Sequence, residues 1–187
     1  MATNPAAYTT DLGDPDAVIH AFETVRSEFG HPHVVIYNAY HIVPNDPNNV
    51  FEVPLGSFKT SRTINIFSTY AAAQEAVKGW KDFLAPSSPT PTYIYTGNIR
   101  NEMRIPSLMS LGVRKTAAAW FNEVTSTSYK DQGFKFYYAD ERKADGTPMY
   151  SGATPEGHAQ FDVELAEGKE QQAWQQTVVS GRGYKRF

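Results

Sequence analysis

Three short runs, apolar on both faces, constrain this chain more than any other feature. They are His33-Val34-Val35-Ile36-Tyr37, Thr92 to Thr96 with Tyr93-Ile94-Tyr95 at its centre, and Phe134-Lys135-Phe136-Tyr137-Tyr138-Ala139. A strand with one wet face alternates apolar and polar residues. A run without alternation belongs in a sheet covered on both sides, which is the habit of parallel sheets. The intervals between the runs read as helices. Asp14-Pro15 supplies an N-cap and a first-turn proline, Val18, Phe22, Val25 and Phe29 repeat at helical spacing, and Gly30 supplies a stop. Helices are likewise predicted over 58–84, rich in alanine at Ala71, Ala72, Ala73 and Ala76, over 107–130 before Gly133, and from Thr154-Pro155-Glu156 to about Ala166. Trp174 to Val179 reads as a last strand. Parallel strands need crossover connections of this kind. The fold class is therefore α/β, an open parallel sheet with helices on both faces.

The chain has 187 residues, with 17 Lys+Arg against 20 Asp+Glu, a length that suits one domain. We expect a single domain over 1–187, with an N-terminal segment 1–14, an α/β core 15–179 and a tail 180–187. Two loops, Val43 to Pro54 and Ala85 to Pro91, are dense in turn formers and prolines. The weakly acidic balance excludes a general attraction to nucleic acid or anionic membrane. Cysteine is absent, which excludes disulfides, thiolate zinc sites and a cysteine nucleophile. No apolar run approaches the ~20 residues that span a bilayer. Met1 to Pro5 lack the basic start and apolar stretch of a signal peptide, so a cytoplasmic protein is the expectation.

Several segments, in order, resemble the later two-thirds of a short-chain dehydrogenase/reductase of an atypical branch. Asp11-Leu12-Gly13-Asp14 is similar to the acidic turn whose Asp lies near the adenine. Tyr37-Asn38-Ala39 resembles the family's Asn-Asn-Ala-Gly stretch after its fourth strand. Ile64-Asn65-Ile66 resembles the site of the helix asparagine. Thr92 to Asn98 resembles the strand that ends at a catalytic serine, and Leu111-Gly112-Val113-Arg114-Lys115 resembles the Tyr-x-x-x-Lys segment. The resemblance implies a partial Rossmann-like parallel sheet lacking the first two strands, because no Gly-x-x-x-Gly-x-Gly turn occurs in these 187 residues. It also implies an oxidoreductase ancestry with NADP or NAD as cofactor, the glycine turn that holds the pyrophosphate being absent. Cofactor contacts would fall at Asp11, Asn38, Ala39 and Lys115.

In the family, a phenol exchanges a proton with the substrate oxygen, a lysine lowers that phenol's pKa and holds the nicotinamide ribose, a serine donates to the same oxygen, and a helix asparagine positions a water. Here Lys115 takes the lysine position and Asn65 the asparagine position. Asn98 takes the serine position, where an amide can still polarise an oxygen. Leu111, four residues before Lys115, cannot transfer a proton. The resemblance thus implies catalytic positions at Lys115, Asn98 and Asn65 with weak or no hydride transfer. The alternatives are a non-catalytic binding or subunit-interaction protein of the same fold, and a cofactor-independent enzyme with Lys115 as a proton-transfer base. Simpler readings stand beside each: Lys115 as a snorkelling lysine, Asn65 as a bridge between backbone groups, Asn98 as a turn residue, Leu111 as core.

Asn38, Asn98 and Asp140 should lie along one rim, where open α/β sheets bind ligands, with Lys115 projecting toward it. Asp140, Glu141 and Asp145 around Arg142 and Lys143 read as a solvated charged loop, and His158 as an exposed helix residue. His31, His33 and His41 do not read as a metal site. Partners expected are a small-molecule carbonyl or alcohol, with no nucleic acid and no membrane. Self-association is expected as a homodimer through helices 58–84 and 107–130, or association with a full-length homologue. Ala6–Thr10 is expected to pair with the open edge of strand 33–37.

Overall fold

A computed structural model gives the fold and describes residues 5–83 and 90–187. The predicted proline loop 85–91 therefore falls largely outside the described residues, as does Leu84 at the end of the predicted long helix. The sheet is built from β1 (Val34–Tyr37), β2 (Thr92–Thr96), β3 (Lys135–Glu141), β4 (Gln175–Val179) and β5 (Gly183–Tyr184), lying side by side in that order. The first four are parallel and β5 is antiparallel to β4. The expected tail 180–187 is thus partly structured, because Gly181 and Gly183, at φ 71° and 78°, turn the chain back on β4.

The helices are α1 (Pro15–Phe29), α2 (Leu55–Arg62), α3 (Ser68–Lys81), α4 (Met109–Ser128) and α5 (Pro155–Glu167). Asp14 caps α1 as its sequence predicts, accepting from Asp16 N at 3.0 Å, and Gly30 ends it at φ 82°. The single helix predicted over 58–84 starts earlier and contains a π turn over Thr63–Phe67 between α2 and α3. Such bulges insert one residue per turn and mark sites where side chains must be re-aimed.

Strand alternation divides the core into two layers. On one face Tyr37, Tyr93, Tyr95, Phe136 and Tyr138 pack under α1, α3 and α4. On the other, Ile94, Tyr137, Ala139 and Val178 meet Phe161 and Leu165 of α5. The four alanines of α3 are buried in the first layer, against this chain's own sheet, so they are not the close-packing surface for a second subunit that their composition suggested. Lys135, 1% exposed, anchors the second layer: its Nζ donates to the carbonyls of Leu165 at 2.6 Å and Ala166 at 2.9 Å, and also to Gly168 O, capping the C-terminal end of α5 with a cation.

β1 lies at the sheet edge, paired with β2 on one side and with no strand on its outer side among the described residues. Ala6–Thr10 forms no strand, which corrects the expected pairing. The segment is held elsewhere: Tyr8 Oη donates to Glu28 at 2.7 Å on α1, and Leu12 O accepts from Ser68 Oγ at 2.7 Å. Ile36, in register with the fully buried Ile94, is 48% exposed, so α5 leaves the β1 end of its face uncovered.

Candidate active site

The C-terminal ends of β1, β2 and β3 open into a cavity of about 710 Å³. Asn38, Asn98 and Asp140 all line it, together with Lys115 from α4 and Leu111 one turn earlier. The parallel register produces this convergence. Tyr37, Tyr95 and Tyr138 are directly paired across the strands and their rings stack at 6.0 and 5.7 Å. Each hydroxyl then fixes a different neighbour. Tyr37 Oη donates to Ile64 O in the π turn at 2.5 Å. Tyr95 Oη accepts from Lys115 Nζ at 3.3 Å. Tyr138 Oη donates to Asn98 O at 2.6 Å and accepts from Asn98 N at 3.0 Å. Gly97 permits that last pair of bonds, since a Cβ there would come within 2.2 Å of the Tyr138 ring.

Lys115 is 4% exposed and donates to Thr96 O at 2.7 Å. Its ammonium lies 4.4 Å from the Tyr95 ring centre. Burial lowers its pKa to about 7, Asp140 opposes that shift, and the neighbouring Arg114 cation adds to it. Arg114 is itself fully buried with none of its guanidinium nitrogens hydrogen-bonded, and burial lowers it to about 10. Tyr95 is no substitute proton donor: burial drives its phenol well upward and away from neutrality. Asp140 is 1% exposed; burial raises it to about 6 although Arg142 Nε donates to it at 2.7 Å.

No protein-family model matches the chain. The short chain dehydrogenase/reductase dmxR12 of Cryptosporiopsis sp. (strain 8999) is 37% identical over 191 residues, covering 95% of this chain and 76% of that protein. The chain belongs to the short-chain dehydrogenase/reductase family. Among solved structures, a short-chain type dehydrogenase/reductase from Mycobacterium marinum superposes with a TM-score of 0.75 at 15% identity, over 92% of this chain and 72% of that one. A metagenomic short-chain oxidoreductase in complex with NADP gives 0.76 at 13% identity, over 92% and 73%. At such identities the likeness is one of fold, and it agrees with the partly parallel Rossmann-like sheet.

Within the family frame, the predicted site residues divide. Lys115, Asn98 and Asn38 are brought together on the cavity wall. Asn98 also caps a short 3-10 turn, its Oδ1 accepting from Arg100 N at 3.0 Å. Asn65 is fully buried in the π turn and does not line the cavity. Its Nδ2 donates to Ser61 O at 2.8 Å and His41 O at 3.2 Å, while Oδ1 has no partner. Asp11 is exposed and accepts from Gly13 N at 2.8 Å, a local turn away from the cavity. Ala39 packs into the first core layer instead. His31 and His33 lie beside the Phe83 ring, His33 stacked on it at 4.5 Å.

Of the charged loop expected at 140–145, Lys143 and Asp145 are exposed, but the first three residues are not. Asp140, Glu141 and Arg142 are only 1%, 6% and 3% exposed, because β3 runs two residues beyond its apolar run and carries the carboxylates into the cavity wall. His158 also lines the cavity, its side chain 20% exposed, rather than facing solvent. Arg100 and Asp162 carried no sequence signal. Only the position of Arg100 just after the β2 turn, and the four-residue spacing of His158 and Asp162, pointed to this wall.

Because the folded pKa of Lys115 lies below that of an unfolded lysine, the unfolded chain binds more protons between pH about 7 and about 10, and this residue makes stability rise with pH across that window. Urea unfolding of Lys115→Met and the native protein will therefore differ most in the variant's favour at pH about 7, the difference shrinking steadily toward pH about 9. A pH-independent difference would show that Lys115 keeps an ordinary lysine pKa.

Proposed function

We propose that these residues form the ligand-holding part of a short-chain dehydrogenase/reductase subunit that does not itself transfer hydride. The observation that carries this reading is Leu111: it is 5% exposed, lines the cavity one turn before Lys115, and has no proton to exchange. The other phenol near Lys115, Tyr95, has its pKa driven upward and does not line the cavity. What remains is a cavity able to hold a small organic molecule, with Asn98 and Lys115 as hydrogen-bond donors on its wall.

NADP or NAD fits this set only in part. By the family resemblance Lys115 would hold the nicotinamide ribose and Asn38 would be a further cofactor contact, and both line the cavity. For the pyrophosphate, the described residues offer no helix N-terminus behind a glycine-rich turn: α1 is capped by the Asp14 carboxylate, and α5 by Thr154, with Glu141 beside Gly157. Anionic phosphates are repelled by carboxylates in those places. A dinucleotide therefore binds this chain weakly. Titration followed by nicotinamide fluorescence is expected to show no saturation below millimolar cofactor, with no carbonyl-dependent loss of nicotinamide absorbance. Saturable binding with turnover would overturn the reading.

The same reading includes a second subunit on α3 and α4. Phe67, Tyr70, Val113, Trp120 and Val124 are all about half exposed or more and belong to neighbouring helix surfaces, Tyr70 lying 6.3 Å from the Phe121 ring of α4. An apolar, aromatic face of this kind suits a homodimer or pairing with a longer homologue. Sedimentation should show association for the native chain and a monomer for Trp120→Glu; a native chain that stays monomeric at every concentration would remove the homodimer.

A further inference from the structure

The cavity wall carries unpaired polar groups of both signs. Glu141 ends β3 with its side chain 2% exposed, and neither carboxylate oxygen accepts a hydrogen bond from the described residues. His158 Nε2 comes to 3.5 Å of Oε2 without making one. One turn further along α5, Asp162 is 6% exposed with Oδ1 unpaired, and burial raises its carboxyl to about 6. All three residues line the cavity. Opposite in sign, Arg100 is 6% exposed and its Nη1 has no acceptor among the described residues. Its guanidinium lies 5.6 Å from the ring centre of Tyr150, a residue held at φ 49°, which side chains other than glycine rarely adopt.

A buried acceptor without a donor, or a buried cation without an acceptor, costs free energy on the order of 1–3 kcal/mol each. Native proteins seldom leave several such groups around one space unless something fills it. Beside Asn38, Asn98, Lys115 and Asp140, the wall carries an apolar part from Ile36, Ile42, Leu108, Leu111 and Met149. We propose that this cavity takes an apolar-bodied hydroxy acid, whose carboxylate meets Arg100 and whose hydroxyl donates to Glu141. A simple alcohol leaves Arg100 unpaired. A diacid sets a second carboxylate against Glu141 and Asp162. A hydroxy acid satisfies both ends, and the apolar wall covers its body. The inference rests on the reading of this cavity as the ligand site, and it names the ligand class.

Calorimetric titration of the whole chain with three probes tests it: 4-hydroxyphenylacetate, phenylacetate and 4-hydroxyphenethyl alcohol. The hydroxy acid is expected to bind at least about tenfold more tightly than phenylacetate, which lacks the hydroxyl, or 4-hydroxyphenethyl alcohol, which has an uncharged hydroxyl in place of the carboxylate, a factor one charge-assisted hydrogen bond supplies. Arg100→Met should abolish the preference over the alcohol. Glu141→Leu should abolish the preference over phenylacetate, and the apolar replacement of an unpaired buried carboxylate keeps the fold intact. Circular dichroism confirms that each variant is folded, and the native series decides alone where one is not. Equal affinities for the three probes, no saturable binding of the hydroxy acid, or folded variants that keep both preferences would overturn the proposal. The nicotinamide assay is independent of these results, so a chain that neither turns over cofactor nor discriminates among the probes refutes the hydroxy acid alone.

Discussion

The row formed by Tyr37, Tyr95 and Tyr138 is the interaction on which the rest of this structure depends. Parallel register places the three residues side by side, and stacking turns them into one continuous surface under α3 and α4. Their rings fill the apolar layer while their hydroxyls reach its rim. One holds the π turn, one meets Lys115, and one clamps the backbone of Asn98. Sheet packing and site geometry are therefore the same set of contacts. A slip of one residue in β2 would turn Tyr95 to the α5 face and leave Lys115 without its partner.

The fold was legible because its signals are local or strictly periodic. Both-faces-apolar runs at 33–37, 92–96 and 134–139 gave parallel strands, and Asp14, Pro15 and Gly30 marked the ends of α1 within a residue. The π turn was not legible, since Thr63–Phe67 has the composition of an ordinary helix and the bulge follows from the packing of Asn65 and the Tyr37 bond. The fate of Ala6–Thr10 was misread for a related reason. An open strand edge calls for a partner, but the contacts that hold Tyr8 and Leu12 on α1 and α3 lie 20 and 56 residues away in sequence.

The site was half legible. Asn38, Asn98 and Asp140 were placed on one rim by strand order, because every parallel strand ends on the same side of the sheet, and Lys115 of α4, singled out by the family resemblance, was expected to project toward it. The hidden half is electrostatic. Asp140-Glu141-Arg142 has the composition of a wet loop, and only the length of β3 and the cover supplied by α5 make it buried. Burial then shifts both groups toward their neutral forms: it lowers the pKa of Lys115 to about 7 and raises that of Asp140 to about 6. Leu111, one turn before Lys115, carries no titrating group, and the lysine is adjusted by its surroundings in a cavity that also holds polar groups without a partner among the described residues.

The account turns on Lys115 being held, dry, between Thr96 and Tyr95 at the wall of the cavity. A carbon-detected NMR titration of the lysine Cε signals, with Lys115 assigned by its loss in a Lys115→Met spectrum, measures this directly. The account predicts that Lys115 titrates near pH about 7. A Lys115 signal that titrates near the ordinary lysine value of about 10 would contradict it, because the side chain would then be hydrated rather than buried in the cavity wall.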